Sequence, residues 1–527
     1  MIITARSAFC GETVLIEQWA DVLIRGVTYQ ENIGIQVASA GDLNNDGIQD
    51  LYLGTDQDGI LPYINYCYFL PGNPVFPHEI ILDNPPKGTI RVTDLATEIP
   101  GACIGDFNGD GIDDFVIGDG MANSDTQTDG GRAFILFGSS SLTSKFSMDN
   151  PGVPGVMVFG HMAHGWLGKK VSGAGDFNGD GFDDVILAAN GRRVLEERRE
   201  AYIIYGGTDV PSILRTDDLG EHGVRLVAET RGSGFASDVA GVGDVNGDRL
   251  DDIFIGAVEA EEGGDNAYLV YGATDLPAFL NISDLGTRGV HILGPENRGR
   301  FGDHVTGVGD LDGDGLQDFI TSAWGNDVNG VVDMGKVYVF FGSRDFPSEI
   351  SVEEIDFYGF EILGGVEDGF FGESLAGPGN LNKDAYNDLM IGSFRHPEER
   401  VNIIFGSPNL RNLKSVRIQD IDRITLTDIG FNALGLNVVF VGDLNHDGWQ
   451  DIVAGDSVSS GEASSGTAYL IFGSEERFGN GIPTSTPTET PTPTPTITPT
   501  PKMTKDFSGW ILSGEGEVKV LGKKEEK

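Results

Sequence analysis

The segment GDFNGDGIDDFVIG, residues 105 to 118, holds oxygen-bearing side chains at a spacing that suits a hard cation. Asp106, Asn108 and Asp110 occupy positions 1, 3 and 5 of a loop, Gly111 follows at position 6, and Asp114 closes it at position 9. Alternate oxygen side chains followed by a glycine are how a chain wraps calcium, and the carbonyl of position 7, here Ile112, can add a ligand. The glycine supplies the positive φ of a sharp turn. Zinc would call for nitrogen and sulfur donors instead. An EF-hand is excluded, because position 12 is Ile117 rather than a bidentate Glu, and DFVIG reads as a buried strand.

The phrase recurs, so that seven loops start 63 to 70 residues apart. The first comprises Asp42, Asn44, Asp46, Ile48 and Asp50; the third Asp176, Asn178, Asp180, Phe182 and Asp184; the fourth Asp244, Asn246, Asp248, Leu250 and Asp252. Asp310, Asp312, Asp314, Leu316 and Asp318 make the fifth the most acidic, and Asp443, Asn445, Asp447, Trp449 and Asp451 form the seventh. Arg249 replaces the glycine of the fourth loop, at about 1 to 2 kcal/mol if it must be left-handed. The sixth loop (Asn380, Asn382, Asp384, Tyr386, Asp388) has Asn at position 1 and Ala385 at position 6, and is expected to bind weakly or not at all. A lone DG dipeptide would read as a hairpin turn; seven in register point to calcium as a structural staple. The ligand positions hold 21 acids, and seven filled sites would bring the net charge of −46 to about −32. Extracellular calcium modules typically bind near 10⁻⁴ to 10⁻³ M, a range that suits an external milieu.

Four kinds of short strand must position each loop. A large apolar residue and a glycine usually stand eight residues ahead of position 1, as at Ile33-Gly34, Leu167-Gly168, Phe301-Gly302, Phe371-Gly372 and Leu434-Gly435. Thr97-Glu98 lacks the pair. Downstream come AFILFG, AYIIYG, AYLVYG, VYVFFG, VNIIFG and AYLIFG, and then phrases such as GVHILG or GFEILG. Four antiparallel strands per unit, repeated seven times, predict an all-β, seven-bladed β-propeller. Apolar residues on both faces fit blades sandwiched between neighbours.

The FG pair, the GDxNxDGxxD loop and the xxIFG strand, recurring over residues 22 to about 474, resemble FG-GAP repeats and the N-terminal propeller of integrin α chains. That resemblance implies calcium in the loop between a blade's first two strands, and ligands met mainly by loops of the opposite face. It also implies an adhesive or ligand-binding role. The ring is expected to close through residues 22–29, which take the place of a missing fourth strand in blade seven beside AYLIFG. Closure of this kind removes both open sheet edges.

The domains expected are a propeller over 1–475, a Thr/Pro-rich linker over 476–501 and a short tail over 502–527, a hairpin or truncated domain. The linker composition suits a semi-rigid extended stalk. Acids outnumber bases 81 to 35, which argues against nucleic acid and anionic membranes as partners. No run of 18 apolar residues predicts a membrane span. The N-terminus makes a poor signal peptide, although the calcium argument favours an extracellular or cell-surface location. Cys10, Cys67 and Cys103 cannot form a disulfide framework.

Catalysis has little support. His161 and His164 form a close pair without an HExxH arrangement, and no nucleophile elbow or phosphate loop occurs. A carbohydrate-active enzyme or lectin on the same scaffold is the alternative to a non-enzymatic binding protein. Arg192, Arg193, Arg198 and Arg199 concentrate positive charge in an acidic chain, on a loop expected at the face away from calcium. They are candidates for gripping a protein or carbohydrate ligand, the bland alternative being a loop neutralised by Glu196, Glu197 and Glu200.

Overall fold

The computed structural model describes residues 12–26, 32–55, 65–96, 99–191, 199–228, 234–258, 264–295, 299–393, 400–427, 434–456 and 465–479. They form seven sheets arranged as the blades of a propeller. Blade three is representative: Leu167–Gly175, Asp184–Ala189, Glu200–Ile204 and Gly223–Val227 follow one another antiparallel. The acidic loop joins the first two strands, so all seven loops share one end of the ring.

The second strands are buried along their whole length, DFVIGD in blade two and DVILAA in blade three alike. A strand with solvent on one face would alternate. Burial on both faces follows from the neighbours. Val116, Ile135 and Val158 of blade two pack with Val185, Leu187 and Tyr202 of blade three in one apolar cluster. Cys67 is a fully buried member of another such cluster.

Each blade also carries a fifth strand that the four-strand expectation did not include. Three residues from the next blade's connection, such as Lys145–Ser147 or Phe279–Asn281, pair in parallel with the outer strand. One central apolar residue, Phe146 or Leu280, is buried in each, and the first residue is exposed. These additions cover edges that would otherwise present unpaired backbone. Three residues are too few for a periodic signal, which is why the sequence conceals them.

The chain ends meet in blade seven. Val22–Arg25 pairs with Thr467–Ile471 in the register Val22↔Leu470 to Arg25↔Thr467. Residues 27–31 lie outside the described residues. Val22 and Ile24 then join Leu51, Leu53, Val441 and Leu470 in the cluster between blades seven and one. Glu12–Leu15 pairs with Arg423–Thr427 and serves as blade six's fifth strand, the place that a blade-seven connection would fill if the chain were not open there.

Candidate functional site

Six of the seven acidic loops are tied down at both of their ends by their own carboxylates. In the second, Asp106 accepts the N–H groups of Gly109, Asp110 and Gly111 at 2.7 to 2.9 Å. Asp110 folds back onto the N–H of Ile112 at 3.0 Å. Position 1 plays the same part for Gly47, Gly181, Gly315 and Gly448, and for Arg249 in the fourth loop. Arg249 does take the left-handed backbone, with φ 77°.

The closing aspartate is the most deeply built part. Asp114, Asp184, Asp252, Asp318, Asp388 and Asp451 are fully buried, and Asp50 nearly so. In every blade it accepts the N–H of the glycine that ends the third strand's apolar phrase. Those donors are Gly72, Gly138, Gly206, Gly272, Gly342, Gly406 and Gly473, at 2.8 to 3.1 Å. Burial pushes these carboxyl groups up to about 7 in Asp50, Asp114 and Asp388, and to about 8 in Asp184, Asp252, Asp318 and Asp451. Loss of solvation disfavours the charged form, and neighbouring acids of the same loop add to it.

The donor set is all oxygen, and the carboxylates of Asp310, Asp312 and Asp314 come within 4.8 Å of one another, so the residues present fit a hard divalent cation. The sixth loop differs in shape as well as charge. Position 6 is left-handed in the other six loops but not at Ala385, and Asn380 turns its side-chain amide onto the carbonyl of Asp384 at 2.9 Å. Sequence reasoning missed Arg411, in the turn Pro408–Asn412, which ion-pairs with both Asp312 and Asp314 of the fifth loop.

Neighbouring loops are joined sideways, which the sequence reading also missed. At five boundaries among the described residues the side chain at position 8 accepts the position-1 N–H of the preceding loop, as Gln450 does for Asn380, Asp113 for Asp42 (2.7 Å), Asp183 for Asp106 (2.8 Å), Asp251 for Asp176 (2.9 Å) and Asn387 for Asp310 (2.9 Å). A signal was present, because position 8 is Asp, Asn or Gln in all seven repeats: Gln49, Asp113, Asp183, Asp251, Gln317, Asn387 and Gln450. The glycine ahead of position 1 has a physical reason here. A Cβ on Gly105 or Gly175 would sit 2.1 Å from the carboxylate of Asp183 or Asp251.

The opposite end of the first strands is built differently in each blade. Lys170 of blade three meets Asp238 of blade four at 3.5 Å, and Asp238 also accepts the N–H of Val305 at 3.1 Å. Asp303 takes Arg300 and the indole N–H of Trp324, at 2.9 and 2.8 Å, and Arg300 lies 4.7 Å from the Trp324 ring centre. Glu373 stands nearby, pushed up to about 7 by burial and by Asp303. Trp166, Arg300 and Phe370, each directly before its apolar-glycine pair, have left-handed backbone that bulky residues seldom adopt.

His161 and His164 do not converge. His161 bonds Thr216 at 2.9 Å, whereas His164 bonds Asp129 at 2.9 Å. Arg192, Arg193 and Arg198 lie outside the described residues; Arg199 is partly buried next to the third strand of blade three.

The FG-GAP repeat family profile matches residues 171–202. The chain is 33% identical over 240 residues to integrin alpha-8 of Homo sapiens, covering 44% of this chain and 20% of the relative. It is 27% identical over 231 residues to integrin alpha-V of Gallus gallus, again 44% and 20%. With integrin alpha-PS5 of Drosophila melanogaster the figures are 29% over 169 residues, 32% and 16%. The chain therefore spans about a fifth of the length of the curated relatives it matches. It carries FG-GAP repeats and is integrin-α-like. Among the described residues no helix is long and apolar enough to cross a membrane.

Proposed function

We propose that this chain is a calcium-stapled, extracellular or cell-surface propeller that binds a protein or carbohydrate ligand at the end of the ring away from its acidic loops. The observation that carries the reading is the sevenfold recurrence of one arrangement. A buried aspartate anchors each loop to its blade, while further oxygen side chains occupy positions 1, 3 and 5. Calcium, when bound, would neutralise carboxylates that otherwise repel one another across a few ångströms. Positions 1, 3, 5 and 9 and the position-7 carbonyl would hold it, strongly in loops one to five and seven and weakly in loop six. The side chains of the loops then stabilise the fold and perform no reaction.

Similarity to integrin α chains supports an adhesive or ligand-binding role rather than an enzymatic one. The ligand end is proposed to include Arg192, Arg193, Arg198 and Arg199. Residues 476–479 stay with the propeller, since Phe478 is buried against Trp19 and Arg477 pairs with Asp21, so the linker expected over 476–501 is proposed to begin after them, with 502–527 as a separate tail. The test is a pair of thermal melts, in excess chelator and in millimolar calcium. They should differ by many degrees, and coincident melts would remove calcium from the account.

A further inference from the structure

Position 8 belongs to two loops at once. Along the chain it lies between position 7, whose carbonyl is a candidate ligand of its own loop, and position 9, that loop's closing carboxylate. Across five of the blade boundaries its side chain holds position 1 of the preceding loop. At Asp106 the grip is two-sided, because Asp183 accepts the Asp106 N–H at 2.8 Å and returns its own N–H to the Asp106 carbonyl at 3.4 Å. Asp310 and Asn387 are joined in the same way, at 2.9 Å in both directions. A second bond runs alongside in five blades, from just beyond the third-strand glycine to position 2 of the loop before. It joins Ser139 to Leu43, Gly207 to Phe107, Ala273 to Phe177 and Ser343 to Val245, at 2.8 to 3.0 Å. Asn73 reaches Leu444 at 2.8 Å, which carries the series across the closure of the ring.

We infer that the position-8 side chains are positioning residues for the neighbouring cation site, so that occupancy of one loop tightens the loop before it around the ring. The inference rests on the calcium reading above. A cation held by positions 7 and 9 immobilises the residue between them. That residue then fixes the backbone of the neighbour's first ligand, and less ordering remains for the second cation to impose.

Terbium binding to the full-length chain tests this at a single loop. Trp449 already occupies position 7 of the seventh loop, so Ile112→Trp with Trp449→Phe moves an indole sensitiser to the second loop. In that background Asp183→Ala should weaken terbium binding at the second loop about fivefold, the ratio corresponding to one ordinary net hydrogen bond. Asp183→Asn, which keeps an acceptor, should stay within about twofold of the parent. Asp180→Ala, which disables the third loop as a site while keeping Asp183, should also weaken the second loop. This arm decides the matter if Asp183→Ala does not fold. An unchanged terbium midpoint in Asp183→Ala or Asp180→Ala would overturn the coupling while leaving the calcium reading intact. A parent protein with no saturable terbium or calcium binding would overturn both.

Discussion

The two ends of the ring obey different rules. At the acidic end one geometry recurs: position 1 gathers backbone N–H groups in six of the seven loops, position 9 is buried and bonded to a glycine in all seven, and position 8 reaches sideways with its side chain at five boundaries. At the other end, the equivalent strand starts carry Gln36, Lys170, Asp238, His304, Ser374 and Asn437, six different residues. Their contacts are particular to the blades involved, as where Asp238 meets both Lys170 and His304. Repetition marks what the fold needs in every blade. Variation marks where the ring is free to be specific, which is why the proposed ligand end is set there.

The contrast can be broken most forcefully at a closing aspartate. Replacing Asp318 by Ala leaves the N–H groups of Gly342 and Leu311 buried without their acceptor. Each such group costs about 1 to 3 kcal/mol, so chemical denaturation in chelator should show a loss of about 3 kcal/mol or more. The same change at Asp303, whose partners Arg300 and Trp324 are partly exposed, should cost about 1 kcal/mol.

A second test uses pH. The closing carboxyl groups titrate near 7 to 8 in the folded chain and near 4 in the unfolded one, so between those values the folded state holds more protons. Stability of the chelated protein is therefore greatest in acid and falls as pH rises through 7 to 8. Melts in chelator should be lower by several degrees at pH 8 than at pH 6. In saturating calcium that dependence should shrink, leaving the smaller part owed to Glu373, which has no loop to respond to the cation. Equal pH dependence with and without calcium would contradict the assignment of the closing aspartates to the cation sites.

Smaller effects follow at Arg411. Its guanidinium is nearly half exposed, so the pairing with Asp312 and Asp314 is worth no more than about 1 kcal/mol. Arg411→Ser, read with a Leu316→Trp sensitiser, should raise terbium affinity at the fifth loop by up to about fivefold. The smallest change in stability is expected from replacing Arg192, Arg193, Arg198 and Arg199 together by Ser. The melting temperature should hardly move, while binding of an acidic protein or glycan, screened on arrays with and without calcium, should weaken and lose salt dependence.

Much of this was legible in one dimension because a propeller is a repeat. The GDxNxDGxxD phrase, the FG pair and the apolar strand before glycine recur at intervals short enough to compare by eye. Backbone demands such as left-handed φ at position 6 translate directly into glycine, with Arg249 and Ala385 as the visible exceptions. The parts that escaped were those in which a residue serves a neighbour in space. Position 8 was Asp, Asn or Gln every time, yet nothing along the chain says that its acceptor faces a loop 77 residues earlier, as Asp183 faces Asp106. Arg411 stands 97 residues from Asp314. The three-residue edge strands each place one apolar residue at their centre, buried in all but Ser415–Arg417, too little for any pattern.

What the sequence determined by itself is the unit: its strands, its turn chemistry, its all-oxygen loop, and the number of times it occurs. Local dihedral preferences and hydrophobic patterning act within a few residues, so they are written wherever the unit is written. Tertiary structure alone decided how neighbouring loops bond to one another, which three-residue strands cover the edges, and that Glu12–Leu15 completes blade six, whereas the closure of blade seven by Val22–Arg25 was already expected from the sequence. Those outcomes depend on burying two faces of every sheet and satisfying every buried N–H at once, a condition that is met only when the ring closes.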